Sequence, residues 1–393
     1  MTIKVENLME AYPTYRLTAA EIAWLVEETG AGVGAASPLE DVRPGKESGG
    51  KALALDGLRR KGLLSGTEPA VMREGLPEAV RALADPVWTV TLRTGSWKGV
   101  SVARFVGRNC LRDGSLVHYR RHEDGGIDIS FFLSKEHVLA LIEPDVRLQS
   151  LTIALPQRFG LTYEAYAVFV AIADAYRQAH LESLLQRSIL EDWAFAPEDI
   201  ESALYKGLAY LDPRWLVSIA RISLPFPYEW RTDAFRRGMD DLVQGGLLLP
   251  AGGGAGPSYR PAADLEVFCG STMGIEGFAT VEVDEIAGDQ RRGVLCLNLV
   301  RVPGTVWLTG FNNLAGGAPE ATVFSAEGFF ACQAIAELLE RLGSAGAGGQ
   351  KPEPPPAPRY CANCGARLKT GAKFCTACGT GIGRRPRAGE GVP

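Results

Sequence analysis

Four cysteines carry the clearest chemistry in this 393-residue chain. Cys361 and Cys364 form one Cys-x-x-Cys pair, and Cys375 and Cys378 form a second, with ten residues between the pairs. A tight turn places both sulfurs of such a pair on one ion, and two pairs supply the four thiolates of a closed tetrahedral site. Gly365 and Gly379 directly follow the pairs, and glycine there lets the backbone fold back with its N–H groups toward the sulfurs. A segment this short cannot bury enough apolar surface to fold alone, so the metal supplies its folding energy. The expected cofactor is therefore a structural Zn2+ held by Cys361, Cys364, Cys375 and Cys378. An iron site or a redox dithiol are the other chemistries this spacing allows. With all four positions filled by protein, a catalytic zinc is not expected.

Over about Tyr360–Ile382 the sequence resembles the short zinc-ribbon family. That resemblance implies either a small protein-docking module or a nucleic-acid contact. The second use would draw on Arg367, Lys369, Lys373, Arg384, Arg385 and Arg387. These few charges lack the interleaved aromatics that stack bases, so docking is the stronger expectation.

Charge divides the same way. From Arg359 onward there are seven Lys and Arg against one acid, whereas the rest of the chain has 34 basic and 45 acidic residues. Only the tail has the sign of a nucleic-acid surface. The remaining cysteines, Cys110, Cys269, Cys296 and Cys332, are scattered, which argues for a reducing cytoplasm rather than a disulfide framework. The opening stretch, Met1–Arg16, mixes acids with bases and is not expected to act as a secretory signal. No apolar run approaches the length of a membrane span, so no membrane partner is expected.

Catalytic patterns fail in turn. Gly45-Lys46 lacks the rest of a phosphate loop, and Gly30-Ala-Gly32-Val-Gly34 comes after a helix rather than a strand. His118 and His122 sit in a strand-to-turn region that brings them together only loosely. Cys269, Cys296 and Cys332 have no histidine nearby in sequence and read as buried thiols. No catalytic residue is assigned, and the chain is expected not to be an enzyme.

The elements that position these groups are organised by one stretch. Leu55–Leu64, LDGLRRKGLL, recurs as Met239–Leu248, MDDLVQGGLL, with five of ten positions identical. In each copy two apolar residues three apart share a helix face, and Gly62 or Gly246 supplies the left-handed residue that stops the helix. A glycine stop before an apolar run also arises by convergence, and this stretch alone leaves that open. The elements downstream of each copy favour duplication. After the first come a short helix at Pro77–Leu83 and strand runs at Val87–Leu92, Val100–Val106, Ser115–Tyr119 and Ile127–Phe132. Ser134 then caps a closing helix that Pro144 is predicted to end. After the second come strand-like runs at Leu265–Cys269, Ala279–Val283, Val294–Val300 and Val306–Gly310, then a helix predicted to start at Ser325.

Thr18 and Glu21 predict a capping box for an N-terminal helix. Leu161-Thr162 opens a long helix with Tyr166, Phe169, Val170 and Ala173 on one stripe, and further helices are expected at Pro197–Leu208, Pro213–Ile222 and Asp233–Gln244. The fold class is therefore α+β, with two pseudo-symmetric halves, each helices plus an antiparallel meander. The expected boundaries are a first half at 1–156 and a second at 157–342. A flexible Gly/Pro-rich linker at 343–358, a small zinc ribbon at 359–382 and a basic disordered tail at 383–393 complete the chain.

One pattern extends through the body. Gly57-Leu58-x-x-Lys61-Gly62-Leu63-Leu64, a short helix, Ala82-Leu-Ala-Asp-Pro-x-Trp88-Thr-Val-Thr-Leu-Arg93, a meander and a closing amphipathic helix resemble the EspG family, over about Lys51–Leu342. The resemblance implies two halves that join their sheets, and a cytosolic substrate chaperone of type VII secretion that grips the tip of a helical secreted protein. It carries over no binding residue. The expected function is thus a cytoplasmic protein-binding adaptor or secretion-chaperone-like protein with a structural zinc ribbon. The alternative is a nucleic-acid-binding regulator. Asp233–Gln244, the Gly246 stop and Ser258-Tyr-Arg260-Pro resemble the last helix and wing of a winged helix, which the basic ribbon tail would assist. Asp233, Asp240 and Asp241 on that helix argue against it, because an element entering a groove should be basic.

Overall fold

The apolar and β-branched runs pair into one sheet that serves both halves. The computed structural model describes residues 12–40, 48–66, 70–108, 116–188, 193–224, 231–252, 256–287, 290–312 and 320–341. The chain separates into two compact units, Met1–Gly346 and Ala347–Pro393, and every described residue belongs to the first. The linker, ribbon and tail expected at 343–393, and Cys110, lie outside the described residues.

The first half runs β1 (Tyr15–Leu17), α1 (Ala19–Thr29), α2 (Ser48–Arg60), β2 (Leu64–Ser65), β3 (Val71–Met72) and α3 (Leu76–Ala84). It continues with β4 (Trp88–Ser96), β5 (Gly99–Gly107), β6 (Leu116–Arg121), β7 (Ile127–Leu133) and α4 (Lys135–Val146). The second half runs β8 (Arg158–Thr162), α5 (Tyr163–Gln186), α6 (Pro197–Ala209), α7 (Leu216–Ser223), α8 (Thr232–Gln244), β9 (Leu248–Ala251) and β10 (Ser258–Pro261). Then come α9 (Ala263–Ser271), β11 (Gly277–Ala287), β12 (Gln290–Val302), β13 (Thr305–Asn312), β14 (Glu320–Ala326) and α10 (Gly328–Arg341).

The ten-stranded sheet has the order β1-β7-β6-β5-β4-β11-β12-β13-β14-β8. Read from either edge to the middle, the strands occur in the same sequence, with all pairs antiparallel. The halves meet where β4 pairs with β11, from Trp88 opposite Glu285 to Gly95 opposite Phe278. The fold class is α+β, as the alternation of helical and strand periods implies. The stretch around 156/157 is only the connection between α4 and β8, inside the first unit.

Both faces of the sheet are covered. Phe105 packs with α4 and α10, while its neighbour Val106 packs with α1–α3, because successive side chains leave a strand on opposite faces. In the second half Leu299 belongs with α4 and α10, while Val300 belongs with α5–α9. Lys135 of α4 forms an ion pair with Glu340 of α10 across this middle.

The two helix stops are built alike. Gly62 and Gly246 are left-handed, with φ of 67° and 70°. Leu63 N–H donates to Leu58 O at 3.0 Å, and Leu247 N–H donates to Leu242 O at 2.9 Å. Gly62 N–H donates to Arg59 O, and Gly246 N–H donates to Val243 O. Both are the two-bond C-terminal motif that satisfies the last helical carbonyls. The capping box at α1 is formed: Glu21 N–H donates to Thr18 Oγ1, and Thr18 N–H donates to Glu21 Oε2 at 2.7 Å.

Three expectations are corrected. Leu265–Cys269 is helix, not strand. Leu265, Phe268 and Cys269 are all buried and share one face of α9 at spacings of three and four. A five-residue apolar run has no period that separates the two. Ser325 does not start the last helix but belongs to β14, and α10 begins at Gly328. There the Ser325 hydroxyl is buried, accepting from Leu155 N–H and bonding Thr305 Oγ1. Pro144 lies inside α4, which runs on to Val146, since proline in a last turn forfeits one bond without stopping the residues after it.

Candidate functional site

The second half has a lobe that the first half lacks. α5 is 24 residues long, whereas α1 at the matching place is 11, and among the described residues α6 and α7 have no counterpart in the first half. Thr162 caps α5, accepting from Ala165 N–H at 3.1 Å and donating to Asp241 Oδ2 of α8 at 2.7 Å. Tyr166, Phe169, Val170 and Ala173 are buried along the sheet side. The helix then continues past Tyr176, where Trp193 stacks on the Tyr176 ring at 3.9 Å. α6 and α7 fold back along this extension.

Asp174 joins them. Its carboxylate is buried and accepts from Leu216 N–H at 3.0 Å and Val217 N–H at 2.9 Å. It thereby caps α7, whose own N-cap residue Trp215 offers no side-chain bond. Burial pushes the Asp174 carboxyl up to about 7, against the pull of the two amides and Arg177. Arg177 lies over the Trp215 ring, 5.2 Å from its centre, and donates to Arg214 O. Two grooves flank this core. One, of about 290 Å³, lies between α5 and α6, with Glu182, Trp193, Asp199 and Lys206 in its wall. The other, of about 420 Å³, is bounded by Asp174, Lys206, Tyr210, Asp212 and Trp215. Beyond the grooves Leu181, Leu184 and Leu185 stand exposed on one face at the free end of α5, with Leu185 at 84 %.

Sequence alone did not single out Asp174. The available signal was its place in Ala171-Ile172-Ala173-Asp174-Ala175-Tyr176, one charge within an apolar run. A carboxylate there is exposed at a kink, or buried on donors.

Burial raises the thiols of Cys269 and Cys296 far above the ordinary range and that of Cys332 to about 11, which leaves none of them a nucleophile near neutral pH. Among the described residues no group of three or more His, Cys, Asp or Glu is placed to hold a metal. His122 Nε2 is 2.8 Å from Asp128 Oδ2, and His118 is part-buried against Phe105. The wing reading finds its hairpin, since β9 and β10 come directly after α8. However, Arg237 of that helix is held by Asp233 at 2.8 Å and Glu164 at 3.4 Å, and Arg231 also bonds Asp233. The matching hairpin β2–β3 comes after α2 in the first half, so helix plus hairpin is part of the scaffold.

The sequence-predicted ligands Cys361, Cys364, Cys375 and Cys378 lie outside the described residues, as do Arg367, Lys369, Lys373, Arg384, Arg385 and Arg387. Among the described residues no helix is long and apolar enough to cross a membrane.

No curated protein sequence matches this chain. The chain is similar to the type VII secretion chaperone EspG5 of Mycobacterium tuberculosis, solved in complex with the PE25–PPE41 dimer. The two are 11 % identical, with 84 % of this chain and 96 % of that chain covered and a TM-score of 0.41. Residues 360–382 match the zinc-ribbon domain family.

Proposed function

We propose that this chain is a cytoplasmic protein-binding adaptor, akin in role to a secretion chaperone, with a structural zinc ribbon at its end. One observation carries the reading: the scaffold repeats its order of elements, and the departure from that repeat is a helical lobe with exposed leucines. Leu181, Leu184 and Leu185 sit at spacings of three and four, the pattern by which one helix meets another. Grouped exposed apolar side chains beside polar grooves mark a protein contact. The partner we expect is a helical protein segment, such as that of a secreted substrate. The repeated order of elements and the twin glycine stops support an internal duplication.

The ribbon's donor set fits zinc. Four cysteine thiolates suit a soft, tetrahedral ion and leave no open position, so the metal would organise the fold rather than act on a substrate. Metal analysis is expected to give one zinc per chain, lost when Cys361 and Cys364 are both replaced by serine.

The adaptor reading is tested by capture. The full chain and a chain ending at Leu342 should both retain a helical protein. Leu181→Ser/Leu184→Ser/Leu185→Ser should lose it without a change in thermal midpoint. Turnover of a small molecule by the purified chain, with no protein captured, would sink the proposal. A regulator would instead shift duplex DNA with a steep salt dependence. The basic tail favours that second reading, and the ion pairs that occupy Arg231 and Arg237 weigh against it.

A further inference from the structure

One hairpin of the first half leaves part of a strand edge unpaired among the described residues. β5 pairs with β4 from Gly99 to Gly107. On its other side β5 pairs with β6 only through Arg104–Val106. Gly99–Ala103 therefore has no strand neighbour on that side among the described residues. Open strand edges invite pairing, and proteins usually guard them with charge, proline or a bulge. The open stretch here reads Gly-Val-Ser-Val-Ala. In the second half, β13 reaches β12 only from Cys296 onward among the described residues, and the sequence of the projecting end includes Arg291 and Arg292.

The open stretch has a definite chemistry. Val100 and Val102 are exposed at 43 % and 53 %. Val100, Val102 and Arg104 alternate along the strand and lie on one face, and Lys98 stands in the hairpin turn just before it. Lys98 and Arg104 are exposed, and neither has a carboxylate within ion-pair distance among the described residues; the Lys98 ammonium rests over the Trp97 ring at 5.6 Å. From the turn inward the edge thus reads cation, apolar, apolar, cation. A second copy of the chain fits it badly. Antiparallel pairing of two such edges about Ser101 brings the turn residue Lys98 of one toward Arg104 of the other, and like charges brought together are unfavourable.

We infer that the β5 edge takes up an extended protein segment whose one face runs carboxylate, apolar, apolar, carboxylate at alternate positions. Main-chain bonds to Gly99–Ala103 would hold it, and the two carboxylates would set its register against Lys98 and Arg104. This rests on the protein-binding reading and adds a second contact to the helical one at α5.

The test uses the full chain and two labelled peptides of seven residues. One has glutamate at both ends, valine at its third and fifth positions and threonine elsewhere; the other has lysine at both ends. At low salt the glutamate peptide should bind about tenfold more tightly, the order expected of two cross-strand charge pairs. Lys98→Glu/Arg104→Glu should reverse the preference, and amides of Gly99–Ala103 should gain hydrogen-exchange protection only with the preferred peptide. Equal binding of the two peptides, or binding without that protection, would overturn the inference. So would self-association of the chain that the double variant abolishes. Loss of the peptide effect with partner capture at α5 intact would leave the adaptor reading standing; failure to capture any protein would remove that reading instead.

Discussion

Asp174 shows two residue-scale effects in opposition. Burial favours the neutral carboxyl, while the amides of Leu216 and Val217 favour the charged one. Burial wins, and the group stays protonated up to about 7 in the folded chain against an ordinary value of 3.8. The sign is set by linkage. A raised folded value means stability is full below the unfolded value and is lost as pH rises through the folded one. Between pH 5 and pH 8 this group alone should cost about 3 kcal/mol, taking about 1.36 kcal/mol per unit of pH up to the folded value. Urea unfolding of the native chain and of Asp174→Asn at both values checks this: the stability difference between them should shift by that order in favour of the variant at pH 8. A difference independent of pH would show that the carboxyl is not buried in the way its two amide bonds imply.

Elements are legible where local chemistry decides them and obscure where packing does. Thr18 with Glu21, Thr162, Gly62 and Gly246 act within a few residues, so their spacing alone announces the helix ends. Leu265–Cys269 reads wrongly as strand because its helical state is set by what α9 packs on, and β14 escapes notice because β13 and β8 pair on both its sides. The twin stops give a matched prediction. A methyl at Gly62 or Gly246 meets nothing within 4 Å, so alanine there should cost only the strain of its left-handed backbone, about 1 kcal/mol at each site by denaturant midpoint. Gly238 is the contrasting case. A Cβ there would stand 2.5 Å from Glu164 O, the backbone of α5, which cannot swing aside. Gly238→Ala should therefore destabilise by about 1–3 kcal/mol, as overpacking does, and loosen α8 from α5.

At the scale of the whole molecule, two kinds of stability are expected in one chain. The body rests on buried apolar clusters on both faces of its sheet, whereas the ribbon has four thiolates and little else to fold around. Chelation should release zinc and expose four titratable thiols while leaving the main thermal transition in place. A chain ending at Leu342 should melt like the full one. A main transition that falls on chelation would refute that division. The site is legible only in part for the same reason: cysteine spacing is local, while the lobe around Asp174 brings together α5 and α7, 42 residues apart along the chain. No pattern in either segment names the other.

The strand pairing of β4 with β11 carries a last consequence. Among the described residues it is the one ladder by which the halves hold each other, and it is antiparallel about its own centre. A polypeptide of half this length would show that margin to water and could close it only by meeting a second molecule like itself. Its folding would then depend on how much of it was present. A chain that carries both halves has no such dependence, and one half can bear an outgrowth that a dimer of identical parts would have to wear twice.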